Sequence, residues 1–565
     1  MAAEVARSPA VSAGDRRHAA AVPELDTSTR TVVAGRVVAV GGPVAGAWVR
    51  LLDSAGEFVG EVVTASSGTF RFYVTPGRWV LRALSPRGVT ELPVEAQLGQ
   101  VTEADLRLSA QLPEELEIIQ LATLSLGNRS YLITDGSTAV AVDPQRDLER
   151  ITTVLDSRNL RLDAVAETHL HNDYVTGGLE LARRFDALYA VPAGPGLGFD
   201  AARVRDGDQL QVGELQMQVI ATPGHTDHHV AYAFAPRDRA PRLVCTGGSL
   251  LYGTTGRTDL MGADLAEPLA HRQYHSARRL AEVLPDDTVV LPTHGFGSFC
   301  TAATAGAVER STIGRERTAN PAFTLTEEAF VSSALTGLES FPAYYNRMAP
   351  INAAGPAPVA GLATPPSAGP TELADRIAAG EWVVDVRPRG DFAHLHLRGA
   401  VNVDARGSLA TYLGWLAPFD SPVTLLAADA EQLETARHEL LRIGFDHLAA
   451  IAAGSPLEWA GPPRLASYPR SDFPTLATAR AERPLEILDV RNGGEWHRGH
   501  LPGARHVPLP ELPSTLPALP DTETWVHCHS GFRAAIAASL LAAAGRQVVL
   551  IDDAFEHAQP MTRER

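Results

Sequence analysis

The sequence predicts a multidomain chain: an N-terminal all-β sandwich, a mixed β/α unit, and two doubly wound parallel α/β units. Three observations predict it. The chain has 565 residues, room for roughly three to five domains. Residues 30–109 alternate apolar and polar positions between Gly and Pro turns. Residues 371–460 and 472–560 repeat one pattern, seen by setting WVVDVRPRGDFAHLHLRGAVNV beside EILDVRNGGEWHRGHLPGARHV.

Composition narrows the function before any motif is read. A hydrophobic content of 45% with 20% charged residues is that of a globular protein. The formal net charge of −17 and the lack of a basic stripe speak against nucleic acid and anionic membranes as partners. The chain has no lysine, which excludes Schiff-base and lysine-base chemistry. Its cysteines, Cys245, Cys300 and Cys528, are too few and too far apart for a disulfide framework, so a reducing, cytoplasmic setting is expected. The N-terminus lacks the apolar core of a secretion signal, and no stretch is long enough to span a bilayer. Oligomeric state is not legible.

The elements follow in order. Residues 1–28 read as a disordered lead. Residues 30–109 hold TVVAGRVVAV, AWVRLLD, GEFVGEVVT, TFRFYV and GRWVLRAL, period-two runs at turn spacing that mean a β-sandwich. This stretch has no His and no Cys and offers no catalytic chemistry. Residues 115–345 alternate strand-like runs (SYLIT, AVAVD, LQVGELQMQVIAT, RLVCTGG) with helical ones (DLERITTVLDSR, AHRQYHSARRLAEVL). Residues 346–370 are rich in Pro, Ala and Gly and read as a linker. The repeats 371–460 and 472–560 alternate strand and helix, the pattern of a parallel sheet.

Two segments carry the chemistry. In THLHNDYVTGG, His169, His171 and Asp173 follow an apolar run. His225 in ATPGHTDHH and His294 in VVLPTHGFG follow two further short apolar runs. Strand ends that each bring His or Asp are how a metal site is assembled from separate loops. His228 and His229 are expected to support that site and not to ligate. Cys245, in the run RLVC, is expected in the core. The second segment is Cys528-His529-Ser530-Gly531-Phe532-Arg533, between the run TWV and a clear helical pattern. A Cys placed so meets the free N–H groups and positive end of a helix, which favour a thiolate. The intervening backbone N–H groups form an anion-binding nest, to which Arg533 adds charge-assisted bonds.

THLHNDYVTGG, TPGHTDHH, TGGSLLYGTTGRTDL and PTHG stand in the order of the metallo-β-lactamase superfamily, and Gly256–Leu260 (GRTDL) resembles its glyoxalase II and persulfide dioxygenase branch. The resemblance implies an αββα metallo-β-lactamase fold with metal between the sheets. His169, His171 and His225 match its three-His position, with Asp173 and His294 at the edge of the second position. Arg257 and Asp259 match a segment near the thiol-substrate pocket, or else form a loop-holding pair. The chain departs from the family twice. Tyr174 stands where a His is usual, and Gly248 stands where an Asp ligand is usual. The expectation is one divalent metal, Fe(II) or Zn(II), with Asp173 or water replacing the missing carboxylate; a metal-free domain and a dinuclear hydrolase are the alternatives.

Around Cys528, the segments Asp489-Val490-Arg491, Glu495-Trp496 and Gly499–Ala504 resemble the framing motifs of rhodanese sulfurtransferases. The resemblance implies a persulfide on Cys528, with His529, Ser530, Gly531 and Phe532 lining the substrate loop. Asp489, Arg491 and Glu495 read as structural. Aligning Gly444 with Gly545 puts Ala427 at the Cys position and Gln432 at the Arg position, with Asp429 and Glu431 between them. The first repeat is therefore expected to be catalytically inactive and to pack on the second. The β-sandwich resembles transthyretin-like, carboxypeptidase-regulatory-like domains, and more closely a small uncharacterised family found beside thiosulfate sulfurtransferases.

The expected function is a sulfur-metabolism enzyme. Cys528 would take sulfane sulfur from a donor such as thiosulfate and pass it to a small thiol, and the metal domain would act on the resulting persulfide. The rival readings are a zinc-dependent thioester hydrolase and a metal-free scaffold or sensor carrying a rhodanese.

Overall fold

A computed structural model describes residues 31–558 apart from 40–41, 54–57, 86–87, 109–115, 195, 296, 302–309 and 337. The expected disordered lead at 1–28 lies outside the described residues. The chain divides into two compact units, Met1–Glu115 and Leu116–Arg565.

The first unit is the expected all-β sandwich. One sheet is built around Thr31–Ala39, which pairs with Thr69–Val74, Gly42–Pro43, Val101–Glu103 and Leu106–Arg107. The other orders Phe58–Val63, Trp48–Leu52, Gly77–Ser85 and Gly88–Ala96, all antiparallel. Alternation decides which side chains go inside: Val33, Val37, Phe70 and Phe72 of one sheet share a core with Val49, Leu51, Leu81 and Ala83 of the other.

The second unit begins with two six-stranded sheets, Glu117 to Val204 and Gln209 to Thr312. Helices Glu149–Arg158 and Gly178–Phe185 bury their apolar sides on the first sheet. Ala263–Val283 and Glu327–Leu335 do so on the second. The inner faces meet through polar bonds between the sheets. Tyr131 donates to the Pro292 carbonyl at 2.7 Å, Tyr232 to the Glu167 carbonyl at 2.8 Å, and the Val230 N–H to the Thr168 carbonyl at 2.9 Å. The αββα arrangement therefore leaves a seam where strand ends can converge.

Two parallel sheets follow. The first orders Val401–Asn402, Trp382–Asp385, Val423–Ala427 and Ala450–Ala453. The second orders Arg505–His506, Glu486–Asp489, Thr524–His527, Val548–Ile551 and Arg470–Ser471. The shared strand order is that of a structural repeat. So is a buried Arg–Asp pair at the same place, Arg387 on Asp385 and Arg491 on Asp489, each at 2.6 Å.

The linker expected at 346–370 is corrected in part. Tyr345–Ala354 is a helix with Met348 and Asn352 buried. Alanine-rich sequence is helix-forming once a surface is available to pack on. Asn352 donates to the carbonyls of His171 at 3.0 Å and Tyr174 at 2.9 Å and accepts from the Thr176 N–H at 2.9 Å. The loop bearing His171 and Asp173 is thus held by the connector. Tyr174, Val175, Tyr344 and Met348 join one apolar cluster with residues of both repeats. Two ion pairs cross the same boundary: Arg146 forks onto Asp446, and Arg442 meets Asp147 at 2.7 Å.

Candidate metal centre and cysteine loop

His169 and His171 stand just past strand Arg161–Ala166, His225 past Leu215–Ala221, and His294 past Val289–Pro292. All four imidazoles are fully buried. The nitrogens of His169, His225 and His294 fall within 4.8 Å of one another, with His169 Nε2 and His294 Nε2 3.3 Å apart.

The surroundings fix how each ring faces. His169 Nδ1 lies 2.9 Å from the Thr168 hydroxyl, which itself donates to Asp143. His225 Nδ1 donates to the Arg257 carbonyl at 2.8 Å. His294 Nδ1 lies 3.2 Å from Asn128 Oδ1 and 3.3 Å from Asp173 Oδ2. With each Nδ1 engaged, all three Nε2 atoms are left for one shared point, which is how outer hydrogen bonds orient metal-binding histidines. Burial, reinforced by neighbouring imidazoles, holds His169 well below the usual histidine range and takes His225 down to about 3. Both are neutral and able to ligate. Burial opposes ionisation of Asp173, but His294, His171 and Asn128 outweigh it and hold its carboxyl below the usual range.

The expected donors fall into two overlapping groups, His169 with His225 and His294, and His171 with Asp173 and His294, while His171 also groups with Asp143 and Glu167. His171 Nε2 lies 3.2 Å from Asp143 and 3.3 Å from Glu167. Burial alone would lower its pKa, yet the two carboxylates lift it to about 10, so that nitrogen faces acids and not the shared point. His171 keeps a second contact, in an overlapping group with Asp173 and His294. Asp143 and Glu167 were missed because nothing local marks a strand-end carboxylate as a partner of a distant histidine.

Gly248 supplies no ligand, as expected. A Cβ there would stand 2.2 Å from His225 Cδ2. Its N–H donates to His229 Nε2 at 3.1 Å, and His229 Nδ1 lies 2.8 Å from the Thr222 hydroxyl. His229 therefore supports the loop and stacks on His169, while His228 is half-exposed. Cys245 is buried in the core.

The contacts of Arg257 and Asp259 are those of the loop-holding alternative. Arg257 binds Asp259 at 2.7 and 2.8 Å, the Phe299 carbonyl at 3.1 Å and the Glu339 carbonyl at 2.8 Å, over the Phe341 ring. Arg257 thus ties its own segment, through Asp259, to two neighbouring loops.

Cys528 directly follows strand Thr524–His527 and is buried, with helix Phe532–Ala543 beginning four residues later. Gly531 takes φ +85°, and a Cβ there would lie 2.2 Å from Asp552 Oδ1, so only glycine serves at this bend. His529 and Ser530 are exposed and Phe532 is half-buried. Arg533 does not reach into the loop as an unengaged donor. It forks onto Glu495 at 2.5 and 2.7 Å, which also accepts from the Asn492 N–H at 3.0 Å. Glu339, unmarked in the sequence, accepts from Asn492 Nδ2 at 2.7 Å and the Gly494 N–H at 3.0 Å. One residue thus touches both Arg257, beside the metal centre, and the segment that holds Arg533.

In the first repeat Asp429 caps its own helix, accepting from the Gln432 N–H at 2.8 Å, and Gln432 Oε1 accepts from the Ala428 N–H at 2.9 Å. The helix N-terminus that follows Cys528 in the second repeat is capped in the first by the chain's own carboxylate and amide.

The αββα sandwich with histidines gathered at its strand ends defines a metallo-β-lactamase-fold protein. Comparison with known proteins agrees. Residues 126–294 match the Metallo-beta-lactamase superfamily, 369–461 and 474–559 the Rhodanese-like domain, and 13–108 a family described as Protein of unknown function (DUF1416). Human persulfide dioxygenase ETHE1, mitochondrial, is 29% identical over 205 residues, 36% of this chain and 74% of that protein. A hydroxyacylglutathione hydrolase of Chromohalobacter salexigens is 32% identical over 211 residues, 33% of this chain and 78% of that protein. An uncharacterised protein of Mycobacterium tuberculosis is 44% identical over 86 residues, 15% of this chain and 86% of that protein. A solved metallo-β-lactamase from Staphylococcus aureus superposes with a TM-score of 0.54 at 25% identity, over 60% of this chain and 99% of that one. The chain belongs to the metallo-β-lactamase superfamily, with persulfide dioxygenase and glyoxalase II homologues, and carries tandem rhodanese domains behind a DUF1416 region. These relationships place it in sulfur metabolism. No described helix is long and apolar enough to cross a membrane.

Proposed function

We propose that the chain is a two-centre sulfur enzyme. Its Cys528 loop takes sulfane sulfur from a donor such as thiosulfate and delivers it to a small thiol, and its metal domain converts the resulting low-molecular-weight persulfide to sulfite and free thiol with O₂ and water. The observation that carries this is the Cys528 loop itself, a buried cysteine between a strand end and a helix N-terminus, built into the same compact unit as the histidine centre.

In the transfer, the Cys528 thiolate attacks the outer sulfur of the donor. An S–S bond forms on Cys528 as the donor's own S–S bond breaks, and sulfite leaves with the electron pair. The N–H groups of Ser530 to Arg533 receive the negative charge. An acceptor thiolate then attacks the outer sulfur and Cys528 departs as thiolate. Glu495 holds Arg533 at the loop throughout. The first repeat, closed by Asp429, does no chemistry in this reading.

His169, His225 and His294 fit a divalent cation. His169 and His225 are neutral, the three imidazoles share one focus, and buried His225 Nε2 and Asp173 Oδ1 have no hydrogen-bond partner. Those three would hold the ion, with Asp173 supplying negative charge beside it. Bound there, a divalent metal supplies a Lewis-acid centre and, as Fe(II), reactivity toward O₂. Thr168, Asn128 and the Arg257 carbonyl keep the imidazoles aimed, and Gly248 leaves the side where a carboxylate would ligate to other groups. Metal analysis with O₂ uptake on glutathione persulfide tests the metal half. Iron with O₂ consumption is expected; zinc without it overturns the dioxygenase reading. The all-imidazole set favours one second reading, zinc-dependent thioester hydrolysis, which that outcome would leave standing. A metal-free scaffold is the answer if the purified protein holds no metal and His169→Ala keeps the turnover of the wild type. Cys528→Ser should abolish sulfur transfer from thiosulfate, and retained transfer would refute the assignment.

A further inference from the structure

A cleft of about 570 Å³ lies between the two rhodanese repeats, and two of the three arginines in its cationic wall come from the repeat without the cysteine. Arg389 and Arg406 come from the first repeat and Arg470 from the edge strand of the second repeat's sheet, while Phe532 and Asp552 of the second repeat close the far side. The cleft borders the cysteine loop directly. Arg389 Nη2 reaches toward the Ser530 carbonyl at 3.5 Å, Asp552 sits against Gly531, and the Phe532 ring lies 5.6 Å from Tyr412. Two glycines of the first repeat make the geometry possible. A Cβ at Gly407 would stand 2.2 Å from the Phe532 ring, and one at Gly390 2.8 Å from Arg470 Nη1.

Charge decides what the cleft takes. Three guanidiniums face two carboxylates. Asp552 accepts from Arg389 Nε at 2.8 Å and Arg470 Nη2 at 2.7 Å, and Asp404 accepts from Arg406 Nε at 3.0 Å and Nη2 at 2.7 Å. A guanidinium carries five N–H donors, so the wall keeps donors and a net positive charge beyond these pairs. Arg406 is 64% exposed and Arg470 49% exposed, within reach of a ligand arriving from water.

We propose that this cleft docks the anionic end of the acceptor thiol, a small thiol bearing carboxylates, so that its sulfur approaches Cys528 past Phe532. The inference rests on the sulfur-transfer reading above and gives the silent repeat a part in the reaction, the selection of the acceptor. In the step served, the docked thiolate forms an S–S bond to the outer sulfur of the Cys528 persulfide, the bond to Cys528 breaks, and Cys528 keeps the electron pair.

Binding is tested apart from transfer. In Cys528→Ser protein, S-methylglutathione, a dicarboxylate that cannot react, should bind, and Arg406→Gln with Arg470→Gln should weaken it about tenfold, the scale of lost charge-assisted bonds. The neutral 2-(methylthio)ethanol should show no such difference. Equal binding by both proteins, or equal weakening of both ligands, overturns the proposal. In protein with intact Cys528, the same pair of substitutions should slow discharge of the persulfide to glutathione about tenfold, but not discharge to 2-mercaptoethanol or loading from thiosulfate. Impaired thiosulfate loading with normal discharge would make the cleft a donor site and overturn the acceptor assignment. Absence of any persulfide on Cys528 would sink the sulfur-transfer reading, while the S-methylglutathione measurement still judges the cleft. Arg406→Glu, at the most exposed of the three, should weaken S-methylglutathione further without unfolding the protein.

Discussion

Asn352→Ala tests whether the connector helix holds the metal loop. The side chain is 1% exposed and makes three bonds to backbone groups of His171, Tyr174 and Thr176. Truncation leaves two carbonyls and one N–H buried without that partner. At about 1 kcal/mol for each bond the loss is about 3 kcal/mol, and it approaches twice that if no water enters the gap. The loop also carries Asp173, which sits on His294, so loosening it should lower metal retention as well as stability. Denaturant unfolding and metal loss to a chelator, measured on the same preparations, read the two effects. Asn352→Asp should be no better, because its carboxylate would face the same two carbonyls. Wild-type stability and wild-type metal retention in Asn352→Ala would refute the reasoning, and would mean that the loop is self-supporting.

Three further outcomes follow from the geometry. Gly248→Asp, which writes the family's usual residue back in, should reduce metal content and cost about 1–3 kcal/mol, since its Cβ would fall 2.2 Å from a His225 ring already pinned to the Arg257 carbonyl; higher metal content with full stability would contradict this. His396 is stacked on Phe392, and burial lowers its pKa to about 4. The unfolded chain therefore binds the extra proton first, so the stability it contributes is present above about pH 6.5 and is lost as the pH falls toward 4; His396→Phe should flatten that part of the pH–stability curve, and an unchanged curve would exclude His396 as its source. Ala427→Cys with Gln432→Arg should leave the first repeat unable to hold a persulfide, because Asp429 still occupies the helix N-terminus; mass spectrometry showing sulfane sulfur on the new cysteine would contradict the self-capping argument.

The parts legible in the sequence were those whose partners lie close along the chain. Cys528 to Arg533 is read from six consecutive residues, and its setting between strand and helix follows from the flanking periodicity. The β-sandwich and the repeat were legible for the same reason, since alternation and duplication are local. His169, His225 and His294 were visible as strand-end histidines, but their grouping was not. What draws His171 aside is a carboxylate 28 residues earlier, Asp143, with Glu167, and no spacing rule joins them. The connector was misread because composition reports what a segment does alone, whereas Tyr345–Ala354 is ordered by the surface it covers. Glu339 and the arginine wall became visible only once separate domains were brought together.

The reciprocal ion pairs at Arg146–Asp446 and Arg442–Asp147 imply that the lactamase-fold and rhodanese domains are not interchangeable cassettes. A lactamase-fold piece severed from the repeats would turn Arg146, Asp147 and Val175 toward water and leave both charges without their partners. Shuffling of genes would therefore meet a barrier at this junction. The lactamase-fold domain and the repeats share one buried boundary, and either piece taken alone would present it to solvent.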